Sequence, residues 1–166
     1  MSFIPAYNKL SSHQLNEKIR KMKGLFEECT LCPRECRVLR VPPRGERAKA
    51  GACGADGTVK IASYGPHFGE EGPLVGSGGS GTIFFSHCNL RCVYCQNCDI
   101  SWEGQGYEIS VKELAVIMLR LQARGCHNVN LVTPTHYVFH ILQALARARE
   151  SGLNVPLVYN CGGTSP

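Results

Sequence analysis

The chain has 166 residues, with 18 Lys/Arg against 13 Asp/Glu and ten cysteines. That length suits one good-sized domain, or a small module plus part of a larger one. No apolar stretch reaches membrane-spanning length, and Met1-Ser2-Phe3-Ile4-Pro5 lacks a basic start followed by an apolar run, so the expected setting is the cytoplasm, away from membranes. In a reducing compartment ten cysteines argue for metal ligation or redox chemistry rather than disulfides.

Charge is uneven. Residues 1–53 carry eleven Lys/Arg against five Asp/Glu, and the rest carry seven against eight. The basic side chains gather around the first cysteines, which would suit an acidic protein or RNA face. Stacking aromatics are not interleaved with them, so nucleic acid is the weaker partner and a solvated surface the simpler account.

In chain order, Leu15, Ile19, Met22 and Phe26 recur at helical steps over 12–27, behind Ser12 as cap. Cys29, Cys32, Cys36 and Cys53 follow, spread across a linker rich in Pro, Arg and Gly. Four thiolates close a metal site, so this group reads as structural zinc or an auxiliary iron–sulfur cluster, two choices that ligand type does not separate. A short strand is expected over 58–62 and irregular loop over 65–81. Gly76, Gly78 and Gly81 fit a dinucleotide fingerprint, but they lead into a strand rather than a helix, so they read as a turn. A buried strand is expected over 82–86.

The stretch after that strand, Ser86-His87-Cys88-Asn89-Leu90-Arg91-Cys92-Val93-Tyr94-Cys95-Gln96-Asn97-Cys98, organises the rest. Three thiols at this spacing can hold one iron–sulfur cluster and leave one iron without a protein ligand. They could also hold zinc with Cys98 or His87 as fourth ligand, or an electron-transfer cluster closed by Cys98, although the Cys-Pro ending of bacterial ferredoxin runs is missing. Cys98 is read as a bystander, and Cys126 and Cys161 as apolar filler.

Ser110 and Glu113 form a capping box before a helix carrying Leu114, Ile117, Met118 and Leu121, with Gly125 as its stop. Val129 to Val132 read as a strand. After Thr133-Pro134-Thr135-His136 comes a helix with Val138, Ile141, Leu142 and Leu145, then a third strand over 155–159. His136 reads as a polar helix-start residue and His140 as a packed one. Alternating short apolar strands and helices imply parallel pairing. Three strands make an unfinished sheet, so the chain reads as cut short.

The Cys88-x3-Cys92-x2-Cys95 motif with Tyr94 before its last cysteine resembles the radical S-adenosylmethionine (radical SAM) superfamily. Gly79 to Phe85, Cys95-Gln96-Asn97, Asn130 to His136 and Cys29-x2-Cys32-Pro33-Arg34-x-Cys36 look like uncharacterised proteins related to pyruvate formate-lyase activating enzyme. The resemblance implies a partial (β/α) barrel, cut after its third strand. Residues 1–57 would be a helix plus Cys-rich extension, 58–80 a connecting loop, and 81–166 the first half of the core. It implies a [4Fe–4S] cluster on Cys88, Cys92 and Cys95, whose open iron binds SAM. One electron would then release a 5′-deoxyadenosyl radical that abstracts hydrogen. Tyr94 would lie near the adenine, with Thr133 and Thr135 as SAM contacts. Implied partners are an electron donor such as flavodoxin or ferredoxin and a protein substrate bearing a backbone glycine. The other readings are a truncated non-catalytic remnant, or a metal-binding module that holds protein or RNA.

Overall fold

A computed structural model describes residues 3–162. Residues 3–10 contain one 3₁₀ turn, and the first helix, α1, spans Ser12–Glu27. Its cap is Ser11 rather than Ser12. The Ser11 hydroxyl accepts the Gln14 N–H, and the Gln14 side chain accepts the Ser11 N–H. The reciprocal box needs Glu or Gln three residues on, and only Ser11 has one. The equivalent box at Ser110 and Glu113 opens α4, Val111–Ala123.

The sheet has five strands in the order β3-β1-β2-β4-β5. These are β1 Val59–His67, β2 Ser80–Phe85, β3 Tyr107–Ile109, β4 Val129–Val132 and β5 Leu157–Asn160. β2, β4 and β5 are the three parallel strands expected, joined through α4 and α5 (Val138–Glu150). The sheet is not limited to those three: the short strand expected over 58–62 joins it as β1 and β3 is added, both paired antiparallel, which makes this an open, mixed α/β sheet. β1 runs five residues past its expected end, through Gly65 and Pro66. β3 pairs only with Val59 to Ile61, so one side of β1 is unpaired at Pro66 and the missing N–H costs no ladder bond. β3, three residues long, offers too little periodicity to be seen in advance.

The stretch expected as irregular loop also holds a one-turn helix, α2, Gly72–Val75. The glycine triplet beyond it packs against the α4–β4 connection. Ser77 and Gly78 donate their N–H groups to His127 Nε2 at 3.0 and 3.1 Å. A Cβ on Gly78 would overlap the Gly125 carbonyl, and one on Gly81 would stand 2.5 Å from the Asn128 carbonyl. The triplet is there for backbone approach. Replacing Gly78 with Ala should therefore lower stability by about 1–3 kcal/mol, read from urea unfolding; an unchanged midpoint would disprove this packing.

One core lies between the sheet and α4/α5, centred on Ile61, Ile83, Leu114, Met118, Leu121, Leu131 and Tyr137. A second, smaller cluster of Phe26, Cys29, Leu31 and Phe139 fastens α1 and the first cysteines to α5. Among the described residues no helix is long and apolar enough to cross a membrane.

Candidate metal centre

Because β2, β4 and β5 run parallel, their C-terminal ends open on one edge of the sheet. Three segments meet there: the Ser86–Cys98 loop, Thr133 to His136, and Cys161. Thr133 donates its N–H to the Asn160 carbonyl at 2.9 Å. The Tyr159 hydroxyl donates to Thr135 Oγ1 at 3.3 Å, and His136 Nε2 bonds the Ser86 carbonyl at 2.9 Å. Thr135 and His136 are buried and Thr133 is half-buried. His136 is thus an interior residue, contrary to its reading as a helix-start polar group, while His140 packs on Phe26 and Phe139 as expected. Burial pushes the His136 imidazole down to about 3, with Arg40 and His87 adding to the effect against the bond to Ser86.

Cys88 is buried, Cys95 half-buried and Cys92 exposed. Ser101 Oγ donates to Cys95 Sγ at 3.1 Å, and Trp102 Nε1 donates to the Cys92 carbonyl at 3.1 Å. The Arg91 guanidinium stacks 4.9 Å over the Trp102 ring. Ser101 closes α3, Cys98–Ser101, so this one turn and the tryptophan after it clamp the loop. Cys98 is exposed at its start. Tyr94, expected beside an adenine, is 99% exposed at the loop tip. His87 is wedged beside Gly54 and Gly104 with Nδ1 buried and unpartnered. Burial lowers its pKa, and the charges of Lys60 and Arg91 lower it further.

The first four cysteines sit on a knuckle. A bridge pairs Glu28 with Leu39, Cys29 donates its N–H to Val38, and Arg37 donates to the Cys29 carbonyl, folding the Cys32–Cys36 tip back. Cys53 arrives from the next turn. A Cβ on Gly51 would lie 3.5 Å from Cys36 Sγ and 3.7 Å from Cys53 Sγ. Ala52 and Ala55 aim N–H groups at Cys36 Sγ and Cys53 Sγ, at 3.3 and 3.4 Å. Burial raises the Cys32 thiol; the Arg34 N–H opposes this, and Cys29, Cys53 and Cys36 each push it further up. All four sulfurs therefore share one electrostatic neighbourhood. Among the described residues no three His, Cys, Asp or Glu side chains converge as a finished metal-ligand set. The donor chemistry fits all the same: soft thiolates, with N–H and O–H donors pointed at sulfur.

The two cysteine loops touch. Arg34 Nε donates to the Asn89 carbonyl at 2.7 Å and its Nη2 to the Leu90 carbonyl at 3.2 Å. Cys32, Pro33, Arg34, Asn89 and Leu90 line a cleft of about 320 Å³ between them. Among the described residues, the non-glycine residues with positive φ are Glu35, Arg37, His87, Arg91 and Thr133. They flank Cys36, Cys88 and Cys92 or stand at the end of β4. Such conformations cost free energy and gather where a site requires them. Arg34, Arg40, Ser101 and Trp102 were not singled out by sequence as site residues. Arg34 and Arg40 act across the fold, 55 and 96 residues away, while Ser101 and Trp102 reach back six and ten residues from a turn that no motif marks.

The fold and site thus define an α/β domain with two adjoining cysteine loops, one at the C-terminal edge of its parallel strands. No protein-family model and no solved structure matches the chain. It is 33% identical over 158 residues to an uncharacterised protein of Methanocaldococcus jannaschii, a match covering 88% of this chain and 42% of that protein. The chain therefore spans less than half the length of this relative.

Proposed function

We propose that this is an iron–sulfur protein of the radical SAM type, in which Cys88, Cys92 and Cys95 hold a [4Fe–4S] cluster. The observation that carries the reading is the position of the Cys88–Cys95 loop. It leaves the C-terminal end of β2 between the end of its parallel neighbour β4 and the N-terminal cysteine knuckle, at the edge where α/β folds place their sites. In this reading β2, β4 and β5 are the first strands of a partial (β/α) barrel.

When bound, the cluster supplies an electron to SAM for reductive cleavage and hydrogen abstraction. The chain's own residues position it. Ser101 orients Cys95 through its hydroxyl, the Arg91–Trp102 stack fixes the turn into Cys92, and Arg34 holds the carbonyls of Asn89 and Leu90. Thr133 and Thr135 stand at the end of β4, where a ligand at this edge would meet them, and Tyr94 is free to close over it. A flavodoxin or ferredoxin would supply the electron, in the cytoplasm, and the substrate would be a partner protein's glycine. Cys29, Cys32, Cys36 and Cys53 would hold zinc or an auxiliary cluster.

The test is anaerobic reconstitution, with iron and sulfide counted and the EPR spectrum of the reduced protein recorded with and without SAM. A cluster signal perturbed by SAM, with 5′-deoxyadenosine formed, is expected. A cluster indifferent to SAM would make the chain a non-catalytic remnant, and zinc without iron at Cys88, Cys92 and Cys95 would end the radical reading. The positive charge of residues 1–53 favours a second reading, a metal-binding module for protein or RNA; steeply salt-dependent RNA binding would mark it.

A further inference from the structure

Arg40 is 2% exposed. A guanidinium stays charged at any working pH, so a buried one needs a counter-charge. Among the described residues no carboxylate forms an ion pair with it. Its Nη1 donates to the carbonyls of His136 at 2.9 Å and Asp56 at 3.4 Å, both neutral acceptors. Its plane lies 5.4 Å from the Phe26 ring centroid, and Nε is buried without a partner. Nη2 points at Cys53 Sγ, 3.3 Å away. Among the described residues Cys53 Sγ is the one hydrogen-bonded atom able to carry a negative charge, since Asp56 meets Arg40 through its carbonyl while its carboxylate accepts the Thr58 N–H. A Cβ on Gly51 would lie 3.5 Å from both Arg40 Nη2 and Cys36 Sγ, so the cation and the Cys36 sulfur are at most about 7 Å apart, twice 3.5 Å.

We propose that Arg40 is the built-in counter-charge of a metal site formed by Cys29, Cys32, Cys36 and Cys53. Four thiolates around a divalent ion leave two negative charges, and Cys29 and Cys53 place part of that charge in the protein interior. The buried guanidinium offsets one of them. Through Nη1 the same side chain holds the carbonyl of His136, whose ring bonds Ser86, so the knuckle is fastened to the segment that delivers Cys88. Arg40 acts through the cysteines, as a positioning and charge-balancing residue. Because this concerns the N-terminal cysteines, it stands or falls separately from the chemistry proposed at Cys88.

The experiment uses the full chain with Cys88, Cys92 and Cys95 all changed to Ser, so that added metal reports on the knuckle. Cobalt(II) should bind one per chain and show the sulfur-to-cobalt absorption of a tetrathiolate. Arg40→Gln should weaken binding about 10–100-fold, and Arg40→Lys, which keeps the charge, should recover most of it. With iron(II) in place of cobalt, Arg40→Gln should also move the reduction potential to a more negative value, because removing a positive charge disfavours the more negative reduced site. A purely structural role would not impose that sign. Equal losses in the Gln and Lys variants, or an unmoved potential, would overturn the counter-charge. Absence of a tetrathiolate spectrum would overturn the site itself, while leaving the SAM response of the unmutated Cys88 loop to be judged by its own EPR test.

Discussion

On the proposed radical SAM reading, changing Cys88 to Ser should remove the cluster: bound iron should fall by about four atoms per chain, the reduced EPR signal should disappear, and 5′-deoxyadenosine formation should drop to background. Cys92→Ser and Cys95→Ser behave the same way, because a cluster held by three thiolates has none to spare. On the same reading Cys98→Ser should keep iron, signal and product. Cys98 lies in an exposed turn beyond the Cys88–Cys95 loop, whereas Cys88 is buried and Cys95 receives the Ser101 hydroxyl. If Cys98→Ser alone abolished the signal, the cluster would be a closed four-thiolate electron carrier, and the open position on which SAM binding depends would be lost.

Stability of the metal-free chain falls steeply between pH 6.5 and 4. His136 and His140 are buried, and burial pushes their imidazoles down from the usual 6.5 to about 3 and about 4. Arg40 faces both and lowers them further, His87 does the same to His136, and backbone bonds to Ser86 and Gly57 oppose these effects only in part. The folded chain keeps both rings neutral while the unfolded chain protonates them near 6.5. Unfolding therefore takes up protons, and stability drops as the pH falls below 6.5, until the folded-state values are reached. From pH 7 to 5 each imidazole contributes a loss on the order of 2 kcal/mol. Urea midpoints across that range, for the chain and for His140→Gln, provide the check. The His140→Gln variant should lose part of the pH dependence, with His136 and the also depressed His87 supplying the rest; a slope unaltered by the substitution would assign the acid sensitivity to other groups.

Helices and parallel strands were legible because their signals are local. Leu114, Ile117, Met118 and Leu121 recur at helical steps, and the Ser110–Glu113 box closes within four residues. β2 and β4 are short and apolar because both faces are covered. β1 was legible only over its first residues and β3 not at all, because their pairing is decided far along the chain. Pro66 reads as a breaker until β3 proves too short to need its N–H.

The site divides the same way. Spacing along the chain determined the chemistry open to Cys88, Cys92 and Cys95, and to Cys29, Cys32, Cys36 and Cys53, because consecutive ligands on a short loop must stay within reach of one another. Only the tertiary structure decided that the two cysteine loops adjoin, that Arg34 bridges them and that Arg40 is buried against Cys53. In the sequence Arg40 is one of eleven basic residues in the first 53, indistinguishable from the solvated ones. Burial is a property of the packed chain, and it is burial without a carboxylate partner that turns this arginine from a surface charge into part of a site.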